Sequence, residues 1–157
     1  RLLSKKGIND YMIEIGGEIV TKGINQKQQP WRIGVNKPTE DSLNTNQELQ
    51  TVLNVTDIAM ATSGNYRNFY YKNGKKYAHT IDPKTGYPVQ HSLLSATVLA
   101  KNCATADAYA TSFMVMGLEK AKEILRQHSE LMAYLIYTND GKTEVWYSPS
   151  LKEKILE

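Results

Sequence analysis

The sequence of 157 residues has little cysteine, no long apolar run and no excess of one charge. Its single cysteine, Cys103, excludes an internal disulfide and any cysteine-rich zinc or iron–sulfur site. No apolar run approaches the roughly 20 residues that a membrane-spanning helix needs. The 19 basic and 16 acidic residues are scattered along the chain, so no basic stripe for nucleic-acid phosphates is present. We therefore expect neither a transmembrane segment nor a nucleic-acid partner.

The composition predicts one globular domain over residues 1–157. Apolar residues make up 41% of the chain, which is enough for one core, and no internal repeat is present. The ten tyrosines alternate with apolar residues in strand-like runs, which favours packing within a sheet over the alternative of base stacking.

The start of the chain is typical of the end of a helix. Lys5 and Lys6 suit the negative end of the helix dipole, and Gly7 suits a left-handed cap. No signal peptide opens the chain. We therefore expect the chain to begin partway through a domain, with any targeting segment upstream.

Alternating apolar residues predict strands along most of the chain. Gly16-Gly17, which ends the first strand, indicates a backbone that another group approaches closely. Asn73-Gly74 predicts a type I′ hairpin turn, and Asn139-Asp140-Gly141 predicts a second hairpin. The predicted strands cover residues 11–15, 31–35, 49–61 (one or two strands), 69–77 (a hairpin), 95–100, 131–137 and 143–147, with a polar loop at 38–47.

The apolar period becomes helical late in the chain. It predicts helices over residues 105–116, with Gly117 as the cap, and 119–128. Ser150 and Glu153 have the spacing of a capping box for a short terminal helix. Strands joined by hairpins with a late helical pair predict an α+β domain with a mainly antiparallel sheet.

Asp107 and Thr111 are candidate metal ligands. Residues four apart lie on one face of a helix, so the carboxylate and the hydroxyl can converge on one ion. Hard oxygen ligands suit Mg²⁺ and disfavour zinc or copper. The alternative is that Asp107 serves the dipole of the first helical turn and Thr111 is packed.

His79 is the candidate base, because an imidazole can accept a proton from a hydroxyl nucleophile at neutral pH. The alternative is a half-exposed strand histidine. The following segment from Asp82 to Gly86 has the composition of a tight turn. Ser63, Gly64 and Asn65 are interpreted either as a nest of amides for a phosphate, with Arg67 as a charge partner, or as an ordinary turn.

Five segments in a fixed order resemble the ApbE-type flavin transferases. The match spans nearly the whole chain, and its last two motifs are the most specific. The segments are Gly16-Gly17, Trp31, Thr62-Ser63-Gly64-Asn65-Tyr66, His79-Thr-Ile-Asp-Pro-Lys-Thr-Gly-Tyr-Pro88 and Ala106-Asp-Ala-Tyr-Ala-Thr111.

This resemblance implies an enzyme that moves FMN from FAD onto a threonine hydroxyl of an acceptor protein and releases AMP. It implies that Asp107 and Thr111 bind Mg²⁺, that His79 is the base and that Leu94 contacts the flavin nucleotide. With water as the nucleophile, the same site would hydrolyse FAD to FMN and AMP. The rival class is a non-catalytic flavin-binding or scaffold domain. The presence of both ligands together with the base argues against that class, because a binder needs no base.

Members of this family are longer and carry an upstream segment of Asp-Leu-Gly…Lys-Gly-Tyr type, which contributes flavin and metal contacts. We therefore expect an incomplete flavin pocket here, with weak FAD binding and little activity for these residues alone. The family also implies a periplasmic protein or a lipoprotein that is anchored in the membrane and faces the periplasm.

Overall fold

The computed structural model describes residues 2–38, 48–65, 69–72 and 75–156, and for 69–72 and 75–78 it describes the backbone alone. The helices are α1 (Leu2–Lys5), α2 (Cys103–Met116), α3 (Leu118–Gln127) and a 3-10 helix (Pro149–Lys154). The strands are β1 (Tyr11–Ile15), β2 (Glu18–Lys22), β3 (Trp31–Asn36), β4 (Leu49–Val55), β5 (Ala59–Gly64), β6 (Phe69–Lys72), β7 (Lys75–Ala78), β8 (Leu93–Ala100), β9 (Met132–Asn139), β10 (Lys142–Tyr147) and β11 (Ile155–Leu156).

Antiparallel pairing joins these strands into three sheets. The largest has six strands in the order β1-β2-β5-β8-β9-β10, the second has the order β11-β4-β3, and β6 pairs with β7. Every ladder between named strands is antiparallel. The predicted α+β class with a mainly antiparallel sheet is therefore confirmed.

The six-stranded sheet is buried on both faces, because its central strands alternate between two apolar cores. On β8, Val98 faces the core that contains α2, whereas Leu99 faces the core shared with the three-stranded sheet. On β5, Ala61 likewise faces the core that contains α2, and Met60 faces the core shared with the three-stranded sheet. The molecule thus has three layers: helices, the large sheet and the small sheet.

Helix α2 covers one face of the large sheet and packs on β5 and β8. Its start is capped by Asn102, whose side chain accepts from Thr105 N–H at 2.9 Å. It ends at Gly117, as predicted, where φ is 82°. No helix within the described ranges is long and apolar enough to cross a membrane.

The two predicted hairpins and the predicted end of a helix before Gly7 are confirmed. Asp140 and Gly141 have φ of 48° and 76° and join β9 to β10. Lys72 pairs with Lys75 across the other hairpin, whose Asn73-Gly74 turn lies outside the described residues, as do residues 39–47 of the predicted polar loop. Gly7 has φ of 76° and follows α1.

Gly16-Gly17 ends β1, as predicted, and also forms the two-residue turn of a hairpin. Both glycines have positive φ, 67° and 104°, and Ile15 pairs with Glu18 across them. The sequence analysis missed β2, because its alternating stretch was not recognised as the return strand of this turn.

The predicted short terminal helix is present as the 3-10 helix, but the predicted cap at Ser150 and the turn at Ser63 were wrong. Ser150 lies inside the 3-10 helix, and Ser148 stands at the N-cap with its hydroxyl accepting from Ala133 N–H at 3.0 Å instead of from the helix. Ser63 and Gly64 are the last residues of β5 and not a turn. The β-ladder to β8 extends to Gly64, because Gly64 pairs with Ser95.

The turn at Gly23 ties the start of the chain to the connection between β4 and β5. Gly23 N–H donates to Asp57 Oδ1 at 3.1 Å, and Ile24 N–H donates to Asp10 Oδ1 at 2.9 Å. Gly23 has φ of +60°, and a Cβ there would lie 2.0 Å from Asp10 Oδ1 and 2.8 Å from the Asn9 carbonyl oxygen. Only glycine fits this position without moving backbone.

We predict that Gly23→Ala lowers the free energy of unfolding by more than about 2 kcal/mol, measured by equilibrium urea denaturation. The matched control is Gly141→Ala, because Gly141 also has positive φ but nothing lies within 4 Å of its added Cβ. That control carries only the conformational cost of about 1 kcal/mol. Equal losses in the two variants would contradict the steric argument.

Candidate functional site

A cleft of about 390 Å³ lies between the large sheet and β3. Its walls come from the β1–β2 hairpin, the end of β3, the end of β5 and His79. Ile19 and Met60, which line it, belong to the core shared with the small sheet. The cleft therefore opens on the face of the large sheet opposite α2.

Glycine backbone forms much of the cleft wall. Gly16, Gly17, Gly34 and Gly64 all line it. A Cβ added at Gly34 would lie 2.6 Å from Leu49 Cδ2, whereas nothing lies within 4 Å of one added at Gly17. At Gly17, therefore, main-chain groups can come close to a ligand, whereas the space beside Gly34 is filled by Leu49.

The polar groups of the cleft are few and chemically varied. Glu14 contributes a carboxylate, Asn36 an amide and His79 an imidazole. Thr62 also lines the cleft, and its hydroxyl lies 2.8 Å from that of the buried Thr97 on β8. One carboxylate and one imidazole on a common cleft provide groups that can accept or hold a proton.

Three of the predicted site residues lie at this cleft, namely His79, Ser63 and Gly64. Leu94 lies beside them, because its carbonyl accepts from Asn65 N–H at 3.0 Å. This bond occupies the Asn65 amide that the nest interpretation assigned to a phosphate. Arg67 lies outside the described residues.

Asp107 and Thr111 lie together elsewhere, on the exposed face of α2. Neither lines the cleft. No cluster of three or more His, Cys, Asp or Glu side chains able to hold a metal ion occurs among the described residues. The pair thus offers one carboxylate and one hydroxyl, which are hard ligands of the kind Mg²⁺ takes, and leaves most of an octahedral shell to other oxygens.

The cleft and α2 approach each other at one end of the large sheet. The Cys103 thiol at the start of α2 donates to Ile19 O at 3.4 Å, whereas Met114 near its end contacts His91, just before β8. Helix α2 therefore runs antiparallel to β8, and its final turns lie where β5 ends. There Ser63 lines the cleft and pairs with Ala96, a residue of the core beneath α2.

Sequence reasoning missed Glu14, Gly34 and Asn36 as cleft residues. Glu14 pairs with Ile19 across the first hairpin, so both side chains lie on the cleft face. Recognition of Gly16-Gly17 as a hairpin turn would have given this register. No local signal places Gly34 or Asn36 there, because β3 reaches the cleft through packing between sheets.

The environment of Cys103 explains why this thiol, at the start of a helix, is not activated. Burial raises the pKa of the Cys103 thiol above its usual range, and the negative charge of Glu18 raises that pKa further. A helix N-terminus alone would lower the pKa of a thiol. Burial and the Glu18 carboxylate therefore affect the pKa of Cys103 more strongly than the helix N-terminus does.

The model of the ApbE family matches residues 1–136. The chain belongs to this family. A FAD:protein FMN transferase of Escherichia coli K12 is 39% identical over 152 residues, which are 97% of this chain and 42% of the relative. One from Vibrio cholerae is 42% identical over 142 residues, 90% of this chain and 41% of the relative.

Solved structures of ApbE proteins share the fold. The flavin transferase ApbE from Vibrio cholerae matches with a TM-score of 0.82 at 38% identity, over 98% of this chain and 47% of that one. The apo form of the Pseudomonas stutzeri flavinyl transferase ApbE matches with a TM-score of 0.80 at 28% identity, over 98% and 45%. The chain spans less than half the length of the relatives that it matches.

We predict that Cys103 reacts with iodoacetamide with a half-maximal pH above the ordinary thiol value of about 8.5. Glu18→Gln should lower this midpoint, because removal of the carboxylate stabilises the thiolate. Glu123→Gln, an exposed change on α3, serves as the control. An unchanged midpoint in Glu18→Gln would contradict the electrostatic part of the explanation.

Proposed function

We propose that the protein is an Mg²⁺-dependent FAD:protein FMN transferase that attaches FMN to a threonine of an acceptor protein. The observation that carries the proposal is the position of His79 on a glycine-walled cleft, in a chain that matches the ApbE family over residues 1–136. The names of the relatives support the flavin chemistry. The threonine target, the release of AMP and the metal are parts of the proposal.

The proposed reaction needs one proton acceptor. The acceptor threonine hydroxyl attacks the phosphorus of the FMN half of FAD, and its proton passes to the His79 imidazole. A new oxygen–phosphorus bond joins FMN to the threonine, while the phosphoanhydride bond to AMP breaks and AMP leaves with the bridging oxygen. No redox change occurs, so the flavin stays in its starting oxidation state.

The cleft suits the binding of an extended nucleotide. Its glycine wall offers main-chain groups to a phosphate or a ring, and its polar side chains can orient hydroxyl groups. Its border at Ser63 and Gly64 is the end of the sheet at which the final turns of α2 lie. In this proposal one part of FAD lies in the cleft and its phosphates extend around this end toward α2.

Asp107 and Thr111 would hold the Mg²⁺. Their exposed oxygens have the hard character that this ion requires, with phosphate, water or further protein oxygens filling the remaining positions. When bound, the ion neutralises charge on the pyrophosphate. Both residues stand on one helix whose other face packs in the core, which would keep their oxygens at a fixed separation.

Solvent exposure of His79 favours hydrolysis as a second activity. Water that reaches the same position as the acceptor hydroxyl would lose its proton to the same imidazole. The products would then be free FMN and AMP. The two activities are distinguished by whether AMP release depends on the acceptor protein. From the family alone, we also propose that the protein is periplasmic or is a membrane-anchored lipoprotein that faces the periplasm.

We predict that Asp107→Ala lowers Mg²⁺-dependent FMN transfer by the intact protein by at least about a hundredfold. The measurement is covalent FMN on the acceptor as a function of Mg²⁺ concentration. Asp107 is exposed, so its free energy of unfolding should change by less than about 0.5 kcal/mol. Glu123→Ala on α3 is the matched surface control. Normal turnover with Mg²⁺ in Asp107→Ala would make the metal assignment wrong.

We predict that His79→Ala and His79→Gln each slow FMN transfer by about a hundredfold or more, because neither side chain accepts a proton. The KM for FAD should change little. His128→Ala, a surface histidine paired with Glu130, is the control. If KM for FAD rose by as large a factor as kcat fell, His79 would be a residue that positions the ligand and not the base.

A further inference from the structure

His91 is a half-buried histidine to which the proposed chemistry gives no role. Its Nε2 lies 2.7 Å from the Met114 carbonyl oxygen, and its Nδ1 lies 3.2 Å from Leu93 N. The Leu93 amide can only donate, so Nδ1 carries no proton. Nε2–H therefore donates to Met114 O, and the ring is the neutral tautomer protonated at Nε2.

The bond to Met114 fixes the end of α2. Met114 O is among the last carbonyls of the helix, which lack helical donors, and His91 supplies one. The His91 ring also packs against Gly117, where an added Cβ would lie 3.2 Å from Cδ2. The imidazole thus occupies a defined space between the end of α2 and the start of β8.

The same imidazole connects to the border of the cleft. The Leu93 N–H donates to His91, and the Leu93 carbonyl oxygen accepts from Asn65 Nδ2 at 3.1 Å. Leu94 O accepts from Asn65 N–H at 3.0 Å. Asn65 follows directly on Gly64 of the cleft wall. A continuous chain of hydrogen bonds therefore runs from the end of α2 through His91 to the end of β5.

This chain matters because the other contacts of α2 with the sheet are mostly apolar. Ala106 and Ala110 lie in the core beneath the helix, and apolar contacts have little directional preference. At the start of α2, the Cys103 thiol gives only a weak bond of 3.4 Å to Ile19 O. The two hydrogen bonds of His91 have a defined direction and hold the helix at Met114, three residues after Thr111.

We propose that His91 is a positioning residue that fixes α2, and with it Asp107 and Thr111, relative to the end of β5 beside the cleft. This inference rests on the proposed function. A metal pair and a base on opposite faces of a sheet must keep a fixed separation, since misplacement of about 1 Å costs a hundredfold in rate. His91 acts through α2 and through Asn65.

The test compares His91→Ala and His91→Gln with His128→Ala in the intact protein. Hydrogen exchange at the Leu93 amide measures the link directly, and His91→Ala should raise its rate at least tenfold relative to the control. In the same variant, kcat for FMN transfer should fall about tenfold or more, the Mg²⁺ concentration for half-activity should rise, and the KM for FAD should change less. His91→Gln should recover most of the loss, because its amide both donates and accepts.

Each outcome decides the proposal. Unchanged kcat and Mg²⁺ dependence in a folded His91→Ala protein would overturn it, even if the melting temperature fell. A loss in His91→Ala that His91→Gln does not reduce would also overturn it. If the parent protein transferred no FMN, the proposed function would be wrong, and Leu93 exchange together with the ¹⁵N shifts of the His91 ring would alone decide whether His91 holds α2.

Discussion

Burial of β8 on both faces fixes the position of every layer around it. Val98 and Leu99 are both fully buried, in different cores, so neither the helical layer nor the small sheet can move without exposing apolar surface. Burial of one such side chain contributes roughly 2 kcal/mol. The small side chains of Ala106 and Ala110 let α2 pack closely on this strand. The cleft residues Ser63 and Gly64 lie where this burial ends, at the end of β5.

The proposed site is divided by the sheet that supports it. His79 and the glycine wall lie on the side of the small sheet, and Asp107 and Thr111 lie on the outer face of α2. A ligand that uses both must pass around the end of the sheet, where a register shift between Leu93 and Ser95 interrupts the ladder to β9. A shift of this kind bends the strand and leaves a residue unpaired, so the backbone is not held in the ladder at this point.

Local signals in the sequence predicted the elements that depend on neighbouring residues. Helix α2 and the turn at Gly141 follow from periodicity and from positive φ at glycine, and the structure contains both.

Gly16-Gly17 carries an equally local signal, but its meaning depends on whether the next residues return as a strand. Ser150 failed as a cap because Ser148 is held by Ala133, a contact across 15 residues. The cleft depends on sheet order, so Asn36 and Glu14 line it together through packing that no periodicity encodes. The roles of Asp107, Thr111 and His79 come from the family motifs and stay predictions.

The two tryptophans of the chain lie on opposite sides of the large sheet. Trp31 packs against the core shared with the small sheet, and its indole N–H donates to Lys22 O at 3.0 Å, which joins β3 to β2. Trp146 packs against the core of the helical layer, with the Lys122 ammonium 6.0 Å from its ring centroid. Each of the two cores therefore has one tryptophan packed against it. Replacing one tryptophan at a time gives separate optical reports on the two cores during unfolding or ligand binding.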